Sequence, residues 1–151
     1  MKLKELLDKK SSNIYKIEED KVVVDAIQLF NKHSIGSLLV IDKEHKLIGI
    51  LTEKDILYKC HERDIHDNRN TKVSEIMTTL DKVIIGAADD TILYAMQVMT
   101  NKRIRHLPIM NKNDILGVLS IGDIIKTVME QSETEVKLLR EYVKNPYGIN
   151  L

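Results

Sequence analysis

Hydrophobic positions along this chain follow two periodicities, one typical of helices and one typical of strands. A first helical face has i, i+3, i+4, i+7 spacing and consists of Val23, Ala26, Ile27 and Phe30. The same spacing returns 69 positions later, in a face that consists of Ile92, Ala95, Met96 and Met99. The repetition predicts two amphipathic helices in two copies of one structural unit.

Each predicted helix precedes two β-rich runs joined by a short polar turn. The first runs are Ser37–Ile41 and His106–Met110, and the second runs end as GILTEKD and GVLSIGD, at Asp55 and Asp123. They are apolar nearly throughout, as is typical of strands covered on both faces. Further strands are expected at Asn13–Ile17 and Lys82–Ile85. Each unit is therefore predicted to run strand, helix, strand, strand, helix.

These elements predict an α/β (α+β) chain built from two repeats. We assign residues 1–71 to a first repeat with an N-terminal helix, 72–130 to a second repeat, and 131–151 to a C-terminal helix and tail. Between the repeats, Ser74 is expected to cap a short helical turn. Ser132 to Glu135 has the pattern of a capping box that opens the last helix, and Asn145–Gly148 would stop it.

An apolar stripe on that last helix needs a surface to cover it. The stripe consists of Val136, Leu139 and Val143. Either the other repeat or a second subunit could provide the cover.

Composition narrows the classes of function and the cellular compartment that we expect for this chain. The chain has 151 residues, 43% of them hydrophobic, which is enough for a sizeable core. Its 23 basic and 23 acidic residues cancel, which disfavours binding to nucleic acid. No stretch approaches the roughly 18 apolar residues of a spanning helix, so a membrane protein is disfavoured. A lone cysteine, Cys60, favours a reducing compartment, and we expect a cytoplasmic protein.

Two hydroxyl and aspartate pairs are the best candidates for chemistry. Thr52 and Asp55, like Ser120 and Asp123, lie three positions apart where a strand becomes a helix. Free N–H groups and the helix dipole at such a junction favour an anion such as phosphate. An ionised aspartate accepts hydrogen bonds, including those from the two hydroxyls of a ribose. The same pattern is that of a capping box, which needs no ligand and is the more common explanation of the pattern taken alone.

The motif set resembles the CBS (cystathionine-β-synthase) domain. The likeness rests on R-H-L-P-I at Arg105–Ile109, on the two G-h-h-[ST]-x-x-D endings (h, apolar), and on the linker KVSEIMT. It implies two repeats packed by their sheets into a disc-like CBS-pair (Bateman) module with pseudo-twofold symmetry. Adenine nucleotides would lie in two clefts between the repeats, with the hydroxyl and aspartate of each motif at phosphate and ribose.

The resemblance also implies contacts to the base and to phosphate. Apolar side chains would sandwich adenine, and the matching positions are Ile17, Ile35 and Val118 for one cleft and Ile85, Ile104 and Ile50 for the other. Arg105 and His106 can bind phosphate, whereas repeat one has Gly36 and Ser37 there, so the Asp123 cleft is expected to be stronger. Lys54 could compensate in part, although a lysine in a first helical turn is more often simply solvated.

Other chemistry has less support. Cys60, His61 and His66 lack the paired spacing of a zinc site, and no nucleophile has a recognisable base, so we expect neither a metal nor an enzyme. The leading hypothesis is a regulatory module, without a cofactor, that binds AMP, ADP or ATP and acts in trans on an unknown partner protein, as a homodimer. The alternative is a ligand-free dimerisation or interaction scaffold with vestigial clefts.

Overall fold

The chain forms two compact units, each with its own sheet and helices. The computed structural model describes residues 1–10, 13–62 and 69–144, and of Cys60 only the backbone. One unit comprises Ser12–Ile85 and is called here the first-repeat unit; the second-repeat unit comprises Met1–Ser11 and Gly86–Leu151. Both combine a sheet with helices, which confirms the predicted mixed α and β class.

The first-repeat unit carries a four-stranded sheet in the order β1-β2-β3-β4. Its elements are β1 (Lys16–Glu18), α2 (Val23–His33), β2 (Ser37–Ile41), β3 (Leu47–Thr52), α3 (Glu53–Glu62), α4 (Val73–Ile76) and β4 (Thr78–Thr79). Strand β1 is parallel to β2, and the other neighbours are antiparallel. The predicted helical face packs on this sheet, because Val23, Ala26 and Phe30 are buried with Leu38, Val40 and Leu51 in one cluster.

The second-repeat unit carries a three-stranded sheet in the order β5-β6-β7. Its elements are α1 (Leu3–Lys10), β5 (Gly86–Ala87), α5 (Ile92–Lys102), β6 (His106–Asn111), β7 (Asp114–Ser120) and α6 (Ile121–Lys144). Strand β5 is parallel to β6, and β6 is antiparallel to β7, as in the first-repeat unit. The predicted face of α5 is buried at Ile92, Ala95 and Met99.

The early strands differ from the prediction, most clearly in the second repeat. Residues 80–82 form a 3₁₀ turn instead of beginning a strand, and β5 occupies Gly86–Ala87 instead of Lys82–Ile85. Gly86 pairs with Ile109, and a Cβ at Gly86 would lie 2.8 Å from Ile109 Cδ1. The strand therefore forms where glycine permits close packing, and not at the β-branched residues that precede it.

The segments that precede each repeat pack in a crossed arrangement. Helix α1 joins the second-repeat unit, where the N–H of Leu3 donates to the carbonyl of Asp90 over 2.9 Å. Helix α4 joins the first-repeat unit, where the N–H of Val73 donates to the carbonyl of Lys21 over 2.8 Å. The compact units thus divide the chain differently from the boundary between residues 71 and 72, because each contains a segment that adjoins the other repeat in sequence.

Two helix starts differ from the predicted caps. Helix α4 starts at Val73, so Ser74 lies inside it, and the start is closed by Glu75, whose carboxylate accepts the N–H of Lys72 over 2.6 Å. Helix α6 runs without a break through Ser132. No glycine or proline interrupts residues 123–144, so the chain has no reason to leave the helix at Ser132. The predicted stop at Asn145–Gly148 lies outside the described residues.

Candidate functional site

Each unit contains one junction where a buried strand passes directly into a helix. In the first-repeat unit β3 leads into α3, and the N–H of Glu53 donates to the carbonyl of Gly36 over 3.2 Å. In the second-repeat unit β7 leads into α6, and the N–H of Ile121 donates to the carbonyl of Arg105 over 2.8 Å. The two junctions therefore have equivalent backbones, although their side chains differ.

At the first junction, Thr52 and Asp55 form a reciprocal cap. Asp55 Oδ2 accepts the N–H of Thr52 over 2.9 Å, and Thr52 Oγ1 accepts the N–H of Asp55 over 3.3 Å. This geometry satisfies two N–H groups that helix formation leaves unpaired. In the structure, Thr52 and Asp55 therefore act as a helix cap, which is one of the two interpretations of their pattern.

The Asp55 carboxylate is also covered from a second side. Its Oδ1 accepts a hydrogen bond from Thr78 Oγ1 over 2.8 Å and lies 3.3 Å from Lys59 Nζ. Strand β4 can bring Thr78 this close because Gly49 faces it, where any Cβ would collide with the carbonyl oxygen of Thr78. Both oxygens of Asp55 are therefore engaged within the unit. The residue is only 8% exposed.

At the second junction, Ser120 and Asp123 form the same cap but meet a different cation. Asp123 Oδ2 accepts the N–H of Ser120 over 2.7 Å and the ammonium of Lys10 over 2.8 Å. Lys10 also donates to the carbonyl of Val118 over 3.0 Å. Both of these hydrogen bonds to Asp123 use Oδ2, and Oδ1 has no hydrogen-bond partner among the described residues. The Asp123 side chain is 23% exposed, so this carboxylate is partly open.

The Asp123 carboxylate is held in its ionised form. Burial alone would raise the pKa of Asp123, but hydrogen bonds from Lys10 and from the backbone of Ser120, with the lysine charge, outweigh burial. The net effect lowers the pKa of Asp123 below its ordinary value. The group is therefore a permanent acceptor near neutral pH.

A groove of about 740 Å³ lies beside Asp123, between α1 and α6. Its lining includes the cations Lys9, Lys10 and Lys126 and the carboxylates Glu130 and Glu135. Leu6 and Met1 supply apolar surface. The groove is therefore open and charged, whereas the Asp55 carboxylate is enclosed.

The predicted phosphate-binding residues lie around these junctions. His106 pairs across the sheet with Ser120, as Ser37 pairs with Thr52 in the other unit. Arg105 is exposed and immediately precedes β6. Lys54 is exposed on α3, with its ammonium 5.9 Å from the ring centre of Tyr58.

The predicted base-contacting residues are divided between the units. Ile17, Ile35, Ile50 and Ile85 belong to the first-repeat unit, and Ile104 and Val118 belong to the second-repeat unit. Ile17 and Ile50 are buried in the core, and Ile85 is 40% exposed. Ile35, Ile104 and Val118 are partly exposed.

Only one of the three metal-binding candidates has a described side chain. His66 is not among the described residues, and of Cys60 only the backbone is described, whereas His61 is exposed on α3. In residues 1–10, 13–62 and 69–144, no group of three or more histidine, cysteine, aspartate or glutamate side chains could hold a metal ion. Within the same ranges, no helix is both long and apolar enough to cross a bilayer.

Comparison with known proteins agrees with the duplicated junctions. The family model described as "CBS domain" matches residues 3–62 and 73–130. The chain belongs to the CBS domain family. A mitochondrial CBS domain-containing protein of Arabidopsis thaliana, CBSX3, is 35% identical over 85% of this chain, and the match spans 63% of the plant protein.

Solved CBS domain structures share the fold. The CBS domain protein NE2398 has a TM-score of 0.79 and 36% identity, with 85% of this chain and 98% of that chain covered. The CBS domain pair of protein MJ0100, solved in complex with 5′-methylthioadenosine and S-adenosyl-L-methionine, has a TM-score of 0.72 and 23% identity. The match covers 87% of this chain and 98% of that chain.

Three contributors to the CBS junctions were missed by sequence reasoning. Lys10 reaches Asp123, and Thr78 and Lys59 reach Asp55. Lys59 could have been found, because it lies one helical turn after Asp55. Lys10 and Thr78 approach from remote parts of the chain, so no local pattern indicated them.

Proposed function

We propose that this CBS protein is a regulatory module that binds an adenine nucleotide, AMP, ADP or ATP, at the Asp123 junction. The observation that carries the proposal is the arrangement of acceptors and cations there. The Lys10 ammonium donates to both Asp123 Oδ2 and the Val118 carbonyl, so two acceptors converge on one donor. Adenosine also has hydrogen-bond donors, in its ribose hydroxyls and its 6-amino group.

The cations of the groove fit the other half of a nucleotide. Lys9, Lys10 and Lys126 line the groove that begins at Asp123, and lysine ammonium groups attract phosphate. Arg105 and His106 lie at the start of the neighbouring strand β6 and belong to the same proposed phosphate-binding set. The adenosine derivatives bound by the CBS pair of protein MJ0100 support this class of ligand.

The two junctions are proposed to differ in strength. Asp55 has both oxygens engaged and is nearly inaccessible, so Thr52, Asp55 and Lys54 form the weaker site. Asp123 retains a free Oδ1 within the described part of the chain, and a ribose hydroxyl can bond to it while Lys10 holds Oδ2.

The proposed role is regulatory and not catalytic. A nucleotide acts by binding two shapes of the protein with different affinity, and a partner protein in trans detects the change. The proposal includes self-association into a homodimer. It also includes a reducing compartment such as the cytoplasm, because the single cysteine of the sequence cannot form an internal disulfide.

Isothermal titration with AMP, ADP and ATP tests the binding site. Wild-type protein should bind at least one of them, and Asp123→Asn should bind it about tenfold to a hundredfold more weakly, since one charge-assisted hydrogen bond contributes roughly 1.5–3 kcal/mol. The matched control is Asp89→Asn, which removes another aspartate that lies 2.8 Å from a lysine ammonium in the same unit but is 85% exposed. Equal affinity of wild type and Asp123→Asn would contradict the assigned site.

The alternative function is an interaction scaffold that binds no nucleotide. It is favoured by the reciprocal caps, since both aspartates already bond to their own backbone. The scaffold should form a dimer without nucleotide and show no thermal shift with AMP, ADP or ATP. A saturable thermal shift with any of these nucleotides would exclude it.

A further inference from the structure

The second half of helix α6 has no cover within the structure. Ile124 and Thr127 are buried near its start, but every residue from Met129 to Lys144 is exposed. These 16 residues extend about 24 Å at 1.5 Å per residue. An isolated helix of this length is marginal in water, so packing against a partner would stabilise it.

Five exposed apolar residues of α6, together with one serine, form a regular seam, and the exposed Leu138 and Tyr142 lie beside it. From Ile125 to Val143 the seam residues recur at alternating spacings of four and three, which is the a and d pattern of a coiled coil. The seam consists of Ile125, Met129, Ser132, Val136, Leu139 and Val143. Its apolar members are between 43% and 78% exposed, so the seam is a continuous uncovered stripe.

Residue types on the seam favour a particular partner. Val136 and Val143 occupy a positions and Leu139 occupies a d position, and β-branched a residues with leucine at d favour two parallel helices. In that arrangement identical residues face each other, so the single polar member, Ser132, would face only Ser132 of a second copy.

The charges that flank the seam are complementary between two copies. Glu135 is at a g position and Arg140 is at the following e position, which pair between parallel helices. Neither makes an ion pair with another residue of the described ranges, the nearby pair on this helix being Lys126 with Glu130. Two such pairs would form across a symmetric dimer, one on each side of the seam.

We infer that α6 binds the α6 of a second copy of this chain as a parallel two-stranded coiled coil along the seam. This inference rests on the proposed self-association and gives it a surface. It does not depend on nucleotide binding at Asp123.

Two adjacent leucines provide a matched test by sedimentation equilibrium. Leu139 on the seam is 64% exposed and Leu138 beside it is 59% exposed, so glutamate at either position meets a similar local environment in the monomer. Leu139→Glu should weaken the dimer by about a hundredfold or more, because a charge would enter an apolar layer. Leu138→Glu should leave it within about threefold of wild type. Equal effects, or a monomeric wild type, would overturn the inference.

Charge exchange and cross-linking test the orientation. Arg140→Glu should weaken the dimer, and adding Glu135→Arg should restore it. In a Cys60→Ser background, Ser132→Cys should form a disulfide-linked dimer under mild oxidation, because a d residue faces its own copy in a parallel coiled coil. A dimer that resists this cross-link overturns the parallel arrangement.

Nucleotide titration of Leu139→Glu separates the two proposals. The affinity of this variant for nucleotide should match that of wild type even though its dimer is weakened.

Discussion

Asp55 and Asp123 occupy the same place in the two repeats, yet their surroundings give them different uses. Thr78 and Lys59 complete the coordination of Asp55 from within its own unit. Lys10 contacts only one oxygen of Asp123. Two of these neighbours, Thr78 and Lys10, are remote in sequence from the aspartate that they contact, so the duplicated motif alone could not distinguish an enclosed helix cap from a partly open acceptor.

The acid titration of Asp123 provides a prediction at this scale. The folded state lowers the pKa of Asp123, so its ionisation stabilises the protein above the unfolded pKa of about 3.9, and this contribution is lost as the pH falls through the folded pKa. Urea denaturation should show Asp123→Asn less stable than wild type by about 1–2 kcal/mol at pH 7. The difference should shrink below about pH 4. A difference that stays constant between pH 7 and pH 3 would contradict the ionic role.

The residue types at the junctions could be predicted from sequence, but their partners could not. Thr52, Asp55, Ser120 and Asp123 stand where the strand-to-helix pattern places them. Periodicity describes neighbours within one element, whereas Lys10 comes from a helix more than a hundred positions before Asp123. The role of the junctions in binding nucleotide remains a proposal that titration will test.

Among the elements, helices and central strands were predicted more accurately than short edge strands. Helices α2 and α5 and strand β2 begin where the apolar pattern begins. Strand β5 has only two residues, and its position depends on the contact of Gly86 with Ile109. Such a strand is set by tertiary packing, which local β propensity does not describe.

Two glycines near the two junctions should respond oppositely to alanine. A Cβ at Gly49 would collide with the backbone of Thr78, so Gly49→Ala should displace β4 and destabilise the protein by about 1–3 kcal/mol. The control, Gly122→Ala, is in the first turn of α6, where the nearest atom would be 3.6 Å away. Helix propensity should make it neutral or stabilising by up to about 1 kcal/mol. Thermal or urea denaturation compares them, and similar losses in both would contradict the assigned contact.

At the scale of the whole chain, the crossed packing of α1 and α4 is the main departure from the linear repeat. The two segments are equivalent: Lys2 and Lys72 each donate a backbone N–H to a glutamate three positions later, over 3.0 and 2.6 Å. The similarity between KLKEL (residues 2–6) and KVSEI (residues 72–76) is a sequence signal that could have indicated this equivalence. It is short, and nothing in it indicates which sheet each segment joins.

Hydrogen exchange can verify to which unit α1 contributes. Leu3 is fully buried, so Leu3→Ala should cost about 2–5 kcal/mol and should speed amide exchange in β6 and β7. Exchange in β2 and β3 should change less, since α1 belongs to the other unit. Leu57→Ala, at a side chain that is 69% exposed, should alter exchange in neither unit. Faster exchange confined to β2 and β3 in Leu3→Ala would contradict the crossed packing.

The crossed packing also sets an order of events during synthesis on the ribosome. The first-repeat unit has all of its strands once residue 79 has emerged. Helix α1 is made before any of them, yet the backbone groups that it bonds lie at Ala88 and Asp90. At roughly 5–20 residues per second, α1 would wait for several seconds after its own synthesis with Leu3 and Leu6 unburied, and it would pack later than the strands of the first-repeat unit.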